Sequence, residues 1–253
     1  MSLENIFGLK GRTALVTGSS RGIGAAIAEG LAGAGASVVL HGVKAGATAA
    51  VRERIIAGGG TAYELAGDLS KADAGRHLIE QAEVIAPLDI LVINASAQIN
   101  ATLSALTPGD LAFQLAVNLG STVDMLQTAL PRMAARKWGR IVSIGSVNQL
   151  RPKSVVTAYA ATKAAQHNLI QSQARDYARD NVLLNTLAPG LIDTDRNAHR
   201  RLEDPEGWDD YVRTLNWMGR AGKPEEMVGA AVFLASEACS FMTGETIFMT
   251  GGF

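Results

Sequence analysis

Tyr159 and Lys163 stand one helical turn apart in Tyr159-Ala160-Ala161-Thr162-Lys163. On a helix this spacing brings a phenol and an ammonium to the same face. A phenol with a pKa near 10 is a poor base at neutral pH, and a neighbouring positive charge stabilises its phenolate. Such a pair can move a proton to or from an oxygen atom. Alone, it would read as an exposed cation–aromatic contact. Ser146, in Ile144-Gly145-Ser146, follows a β-branched run, where its hydroxyl can reach a carbonyl oxygen. Asn118 lies inside a long helical stretch, although asparagine has only modest helix propensity. It reads as a local kink, as a polar packing contact or, near Lys163, as the holder of a water that reloads the proton relay.

These side chains need a scaffold, and the hydropathy pattern supplies one. Short apolar runs at Thr13–Thr17, Ser37–His41, Thr61–Leu65, Asp89–Ile93, Arg140–Ile144, Val182–Leu187 and Thr246–Met249 read as strands. Between them, Gly22–Ala34, Ala45–Ala57, Lys71–Ala86, Pro108–Arg136, Ala158–Asp180 and Pro224–Leu234 carry a helical period. The alternation implies right-handed crossovers and an α/β doubly wound parallel sheet of about seven strands, with helices on both faces. Near-continuous apolar strands such as Ile90–Ile93 are what burial on both faces requires. The chain reads as one domain over residues 1–253. A polar segment at about 192–220 departs from the rhythm. It reads as a solvated helix pair or, given its place after a strand's C-terminal end, as a lid over the ligand crevice.

The first strand runs into Gly18-Ser19-Ser20-Arg21-Gly22-Ile23-Gly24, and a helix follows. Glycines here let the backbone approach a pyrophosphate, whose charge then meets the amides of the helix N-terminus. Gly-x-x-x-Gly-x-Gly differs from the usual dinucleotide fingerprint, but it sits in the first βα unit, where such a site belongs. Asp68, after the third strand, and Asn94, at the end of the fourth, are further candidates for the nucleotide; each alone would pass for a turn residue or a helix cap. The second strand ends in His41-Gly42-Val43-Lys44, without the acid that would bind an adenosine 2′-hydroxyl. Arg21 and Lys44 could neutralise a 2′-phosphate, so NADP(H) is expected, with NAD(H) the alternative.

Taken together, Thr17–Gly24, Asp68, Asn118, Ser146, Tyr159, Lys163, Pro189-Gly190 and Thr194 resemble the short-chain dehydrogenase/reductase family, in its compact single-domain branch. The resemblance spans essentially the whole chain and implies a Rossmann fold. It implies a catalytic tetrad of Asn118, Ser146, Tyr159 and Lys163. Ser146 would orient a carbonyl and Tyr159 exchange the hydroxyl proton. Lys163 would also hold the nicotinamide ribose, and Thr194 the carboxamide. Gly18, Ser20, Arg21, Gly22, Ile23, Gly24, Lys44, Asp68, Leu69, Asn94, Tyr159, Lys163, Pro189, Gly190, Ile192 and Thr194 would line the cofactor. Ser146, Asn148, Gln149 and Tyr159 would meet the substrate. The chain departs from the family pattern in three places. Ile93-Asn94-Ala95-Ser96 replaces Asn-Asn-Ala-Gly, which puts a side chain near the cofactor. Thr250-Gly251-Gly252 replaces Asp-Gly-Gly. Val43 stands where many NADP-dependent relatives carry arginine. The family habit implies a homo-oligomer, a tetramer or a dimer, built on the two long helices and the last strand.

The totals bound the rest. A net charge of −1 gives no general attraction to nucleic acid or anionic membranes. No apolar run is long enough to span a bilayer. Met1–Lys10 contains Glu4 and no long apolar core, so neither a leader nor a membrane partner is expected. The single cysteine, Cys239, fits a reducing, cytoplasmic setting, and its apolar surroundings suggest an inert thiol. No metal is expected. Asn148, Gln149 and Arg151 follow the catalytic serine, and Arg196, His199, Arg200 and Arg201 crowd the lid. They point to a polar small-molecule substrate such as a sugar, polyol or hydroxy acid, with an arginine taking a carboxylate. These cations could as easily pair with Glu203, Asp204, Asp209 and Asp210. A 3-oxoacyl thioester is the alternative substrate. A nucleotide sensor without turnover is the alternative of another class, and an intact tetrad argues against it.

Overall fold

The computed structural model describes residues 2–252. Seven strands form one wholly parallel sheet: β1 (Thr13–Val16), β2 (Ser37–Gly42), β3 (Thr61–Ala66), β4 (Ile90–Ile93), β5 (Gly139–Ile144), β6 (Val182–Pro189) and β7 (Thr246–Met249), in the order β3-β2-β1-β4-β5-β6-β7. Every strand foreseen from the hydropathy pattern is present, within two residues at each end. The pattern is legible because β1, β4, β5 and β6 are buried along their whole length, and burial on both faces demands apolar runs.

The helices cover both faces. A short α1 (Leu3–Phe7) precedes the sheet, and α2 (Gly22–Gly33), α3 (Ala49–Ala57) and α4 (Ala74–Ile85) follow the first three strands. One apolar cluster packs α2 and the C-terminal helix α10 (Val228–Ala235) on Val16, Val38, Val92 and Val142. The other packs α4 and the helices α6 (Ser121–Ala135) and α7 (Thr157–Tyr177) on Leu15, Val39, Leu91 and Ile141. Successive residues of β1 and β4 thus point to opposite clusters, as strand pleating requires.

One expectation is corrected. The stretch Pro108–Arg136 is not one helix but α5 (Pro108–Leu115), a π-turn at Ala116–Gly120 and α6. The cause is Asn118, whose side chain is drawn into bonds with distant residues. The polar segment after β6 forms two helices, α8 (Asp195–Glu203) and α9 (Pro205–Leu215), which pack on each other. Cys239 is buried, and burial pushes its thiol pKa up, as an inert thiol requires. No helix among the described residues is long and apolar enough to cross a membrane.

Candidate active site

The chain reverses direction across the sheet between β1 and β4, which are neighbours in space though β2 and β3 intervene in sequence. Crevices at the C-terminal ends of strands at such a point are the ligand sites of open α/β sheets. Here that crevice is fixed from both sides. The Thr17 hydroxyl donates to the Val92 carbonyl (3.2 Å) and accepts from the amides of Asn94 (2.9 Å) and Ala95 (3.0 Å). Asn94 Nδ2 in turn donates to the carbonyls of Thr17 (2.9 Å) and Gly18 (3.0 Å). Asn94 therefore shapes the glycine turn.

Within that turn, Gly18 and Gly22 adopt φ of +63° and +56°, a region that L side chains disfavour. A Cβ on Gly24 would lie 2.4 Å from Asn94 Nδ2 and from the Gly18 carbonyl oxygen. The turn thus closes tightly on the N-terminus of α2, leaving its first amides to face an anion. His41, at the end of β2, braces the turn. Its Nδ1 lies 3.2 Å from the donating Gly18 amide, and its Nε2 lies 2.9 Å from the Gly67 carbonyl, which fixes the Nε2–H tautomer. Sequence reasoning used His41 only to mark the absence of an acid; its polar placement at a strand end was the available signal.

The remaining nucleotide candidates fall around this turn. Asp68 caps the loop after β3, accepting from the Ser70 hydroxyl (2.7 Å) and amide (3.0 Å). Those bonds, the hydroxyl first and the amide next, hold its carboxyl below the ordinary value. Leu69 is a core residue. Arg21 and Lys44 lie exposed near the open end of β2, and Arg21 Nε is 3.6 Å from Asp195 of α8. Thr194 heads α8, with its methyl against Gly22. Gly190 donates to the Met249 carbonyl (2.9 Å) and continues β6, while Ile192 is buried beside Gly222.

The chemical end lies on the β5 side. Ser146 ends the loop after β5 and caps a 3₁₀ turn, Val147–Gln149. Its Oγ accepts from the Asn148 amide nitrogen (3.2 Å) and from Asn148 Nδ2 (3.3 Å). With both lone pairs engaged, the hydroxyl proton is left free to donate, which is what polarising a carbonyl needs. Gln149 points its Oε1 at the Ser146 amide (3.3 Å) and is buried, so it supports the serine from behind.

Tyr159 and Lys163 occupy the first turns of α7 and are 6 % and 1 % exposed. Lys163 Nζ sits 5.9 Å from the Tyr159 ring centroid and donates to the Ile144 carbonyl (2.6 Å) and to Gln166 Oε1 (2.9 Å). Burial, reinforced by the charge of Arg196, pulls the Lys163 ammonium down to about 7. Asn118 is placed in the π-turn by three side-chain bonds. It accepts from the Ala97 amide (2.7 Å) and donates to the Ala97 carbonyl (2.9 Å) and to Thr162 Oγ1 (2.9 Å). It is thus the kink and the packing contact at once, joining the loop after β4 to α7. π-turns recur at functional sites for such reasons.

From α8, Arg196 reaches back over this centre. Its guanidinium carbon lies 6.0 Å from the Tyr159 ring centroid. It donates to the Ser96 carbonyl (3.2 Å), Ser96 Oγ (3.1 Å) and Gln98 Oε1 (3.3 Å). Ser96, the departure from the family's glycine, is thereby an attachment point for α8.

A phosphate-ready turn and a buried phenol–ammonium pair in one crevice make a site for exchanging a proton and a hydride with an alcohol or carbonyl. A family model described as enoyl-(acyl carrier protein) reductase matches residues 18–253. A curated gluconate 5-dehydrogenase of Gluconobacter oxydans is 37 % identical, over 100 % of this chain and 98 % of its own length. Among solved structures, a 3-oxoacyl (acyl-carrier-protein) reductase of Agrobacterium tumefaciens with NADP bound is 86 % identical, with a TM-score of 0.99 over 100 % of this chain and 98 % of that one. A gluconate 5-dehydrogenase of Burkholderia cenocepacia, in complex with NADP and tartrate, is 36 % identical with a TM-score of 0.92, over 99 % and 98 %. The chain belongs to the short-chain dehydrogenase/reductase family and is an oxidoreductase that interconverts alcohols and carbonyls.

Proposed function

We propose that the protein is an NADP(H)-dependent dehydrogenase of a small polar substrate that bears a carboxylate, a sugar acid or other hydroxy acid. One observation carries the substrate class: Arg196 stands over Tyr159 and, among the described residues, forms no ion pair with a carboxylate. The other arginines of this segment are engaged. Arg201 pairs with Asp193, Arg213 with Asp210 and Arg220 with Glu226, while Arg200 stacks 4.4 Å from the Tyr211 ring. Beyond its three bonds Arg196 keeps Nε–H and one Nη1–H, either of which can donate to a substrate carboxylate. The relative that holds NADP and tartrate, a hydroxy dicarboxylate, supports the same reading.

NADP(H) fits the residues present. The tight glycine turn leaves room only for a close backbone approach, no carboxylate ends β2, and Arg21 and Lys44 are exposed beside it. When bound, the nicotinamide supplies or accepts the hydride. Ser146 donates its free proton to the substrate oxygen and orients the carbon. Tyr159 exchanges the hydroxyl proton, and Lys163 lends the positive charge that makes a phenolate accessible. The apolar residues Leu111, Phe113 and Leu115, exposed on α5, support self-association through that face, as a dimer or tetramer. The single buried thiol supports a cytoplasmic setting.

A 3-oxoacyl thioester is the second reading, favoured by the description of the 86 % identical structure. A substrate panel with Arg196→Met separates the two. Losing a charge-assisted bond should raise KM for sugar acids about tenfold or more while leaving neutral polyols unchanged. Turnover of 3-oxoacyl thioesters alone, unaffected by the substitution, would favour the second reading.

A further inference from the structure

Lys163 has no carboxylate within ion-pairing distance among the described residues. Its ammonium is held by two neutral oxygens, and one of them belongs to Gln166, a side chain with no part in the chemistry described above. Gln166 lies one turn beyond Lys163 on the same face of α7 and is 1 % exposed. Its Oε1 accepts from Lys163 Nζ at 2.9 Å, and its Nε2 donates to Thr122 Oγ1 at 2.9 Å. Thr122, itself fully buried on α6, donates its hydroxyl proton to the main-chain carbonyl of Asn118 at 2.9 Å.

The direction of this chain is fixed by its far end. A carbonyl can only accept, so Thr122 must donate to Asn118. Its oxygen must then accept from Gln166, and the remaining amide oxygen must face Lys163. Turning the amide over would set an NH₂ against an ammonium in a dry interior, where unpaired polar groups are expensive. The carbonyl that anchors the chain lies in the π-turn, so the departure from α-helical geometry at Asn118 and the orientation of the lysine belong to one network. An amide does not pass protons along, so this is a holding device and not a relay.

We propose that Gln166 is a positioning residue for Lys163, keeping its ammonium charged and aimed at Tyr159 through a hydrogen-bond chain anchored on the Asn118 carbonyl. The proposal rests on the assignment of Tyr159 and Lys163 to proton transfer. Because burial brings the lysine down to about 7, a neighbouring acceptor that favours the ammonium bears on its charge near neutrality. Losing that acceptor leaves less positive charge beside the phenol, and proton removal from an alcohol then needs a higher pH.

The test is the pH profile of kcat for alcohol oxidation in the holoenzyme, for three variants beside Tyr159→Phe. Gln166→Met keeps length and bulk but removes the acceptor. It should lower kcat near pH 7 about tenfold and move the acid limb up by about one pH unit. Gln166→Glu keeps an acceptor and should return the limb toward the wild-type position. Thr122→Val leaves Gln166 in place but frees its amide, and should shift the limb in the same direction by less. It decides the matter if Gln166→Met does not fold. A wild-type limb in Gln166→Met, or in Thr122→Val where the former is unfolded, would overturn the proposal. Turnover retained in Tyr159→Phe would instead overturn the assignment beneath it.

Discussion

The cluster around Tyr159 and Lys163 and the helix pair α8–α9 are built on opposite terms. Tyr159, Lys163, Asn118, Thr122 and Gln166 are all buried, and the polar atoms of the last four are tied to one another or to backbone. The helix pair is exposed along α8 and anchored in the interior mainly by Trp208 and Val212 of α9. It meets the body through polar surface contacts: Arg196 with Ser96 and Gln98, Arg21 with Asp195, and Lys153 Nζ with the Tyr211 hydroxyl at 2.6 Å. Exposed contacts of this kind contribute little stability each. Buried networks are rigid because any rearrangement leaves polar groups unpaired. The proposed chemistry falls in the buried network, and the proposed carboxylate contact, Arg196, in the exposed helix pair.

That contrast can be broken most severely at Lys163. Lys163→Met should cut kcat by a factor on the order of a thousand. It should also change how stability depends on pH. The folded-state value near 7 lies far below the ordinary 10.5. Between those values the unfolded chain holds a proton that the folded chain has released. Cofactor-free wild type should therefore gain stability as pH rises from 7, by up to about 1.4 kcal/mol per unit. The variant should lack this component of the rise, and chemical denaturation from pH 7 to 9 measures the difference. Equal slopes would mean that the lysine is not held charged at a cost.

A smaller effect is expected in the glycine turn. Gly24→Ala drives a methyl into Asn94 and the Gly18 carbonyl, and overpacking of this kind costs about 1–3 kcal/mol. NADP+ affinity, read by calorimetry, should fall with the stability, whereas a lid substitution such as Arg196→Met should leave it unchanged. If both variants weaken the cofactor equally, the division between rigid body and lid fails.

The smallest effect belongs to His41. Burial lowers its pKa below 6.5, partly offset by the Gly67 bond. Its neutral form braces the turn, so its contribution is complete above pH 6.5 and is lost as pH falls, when the unfolded chain takes up the proton first. His41→Asn should flatten the decline of the thermal midpoint between pH 6.5 and 5.5, although His167, also lowered by burial, contributes in the same direction.

The rigid half of the molecule was legible in the sequence. Strands buried on both faces leave apolar runs, and Tyr159, Lys163, Ser146 and the glycine turn keep fixed spacings because a strand or helix sets them. The break at Asn118 was not legible, since it depends on Ala97 and Thr162, which are distant in sequence. Gln166 left a signal in its place one turn beyond Lys163, but only the fold shows that Thr122 is there to orient it. Nor could the sequence single out Arg196 among the lid arginines. Asp193 and Tyr211 engage Arg201 and Arg200, and those pairings arise from how α8 packs against α9.

The measurement that bears most directly on this account is the turnover of Tyr159→Phe together with its NADP+ affinity. The variant removes one hydroxyl and keeps the ring, so the account predicts binding within about twofold of wild type and a kcat lower by at least a hundredfold. A variant that binds NADP+ and still turns over near the wild-type rate would show that the proton passes through another group, and the role assigned to Tyr159 would be wrong.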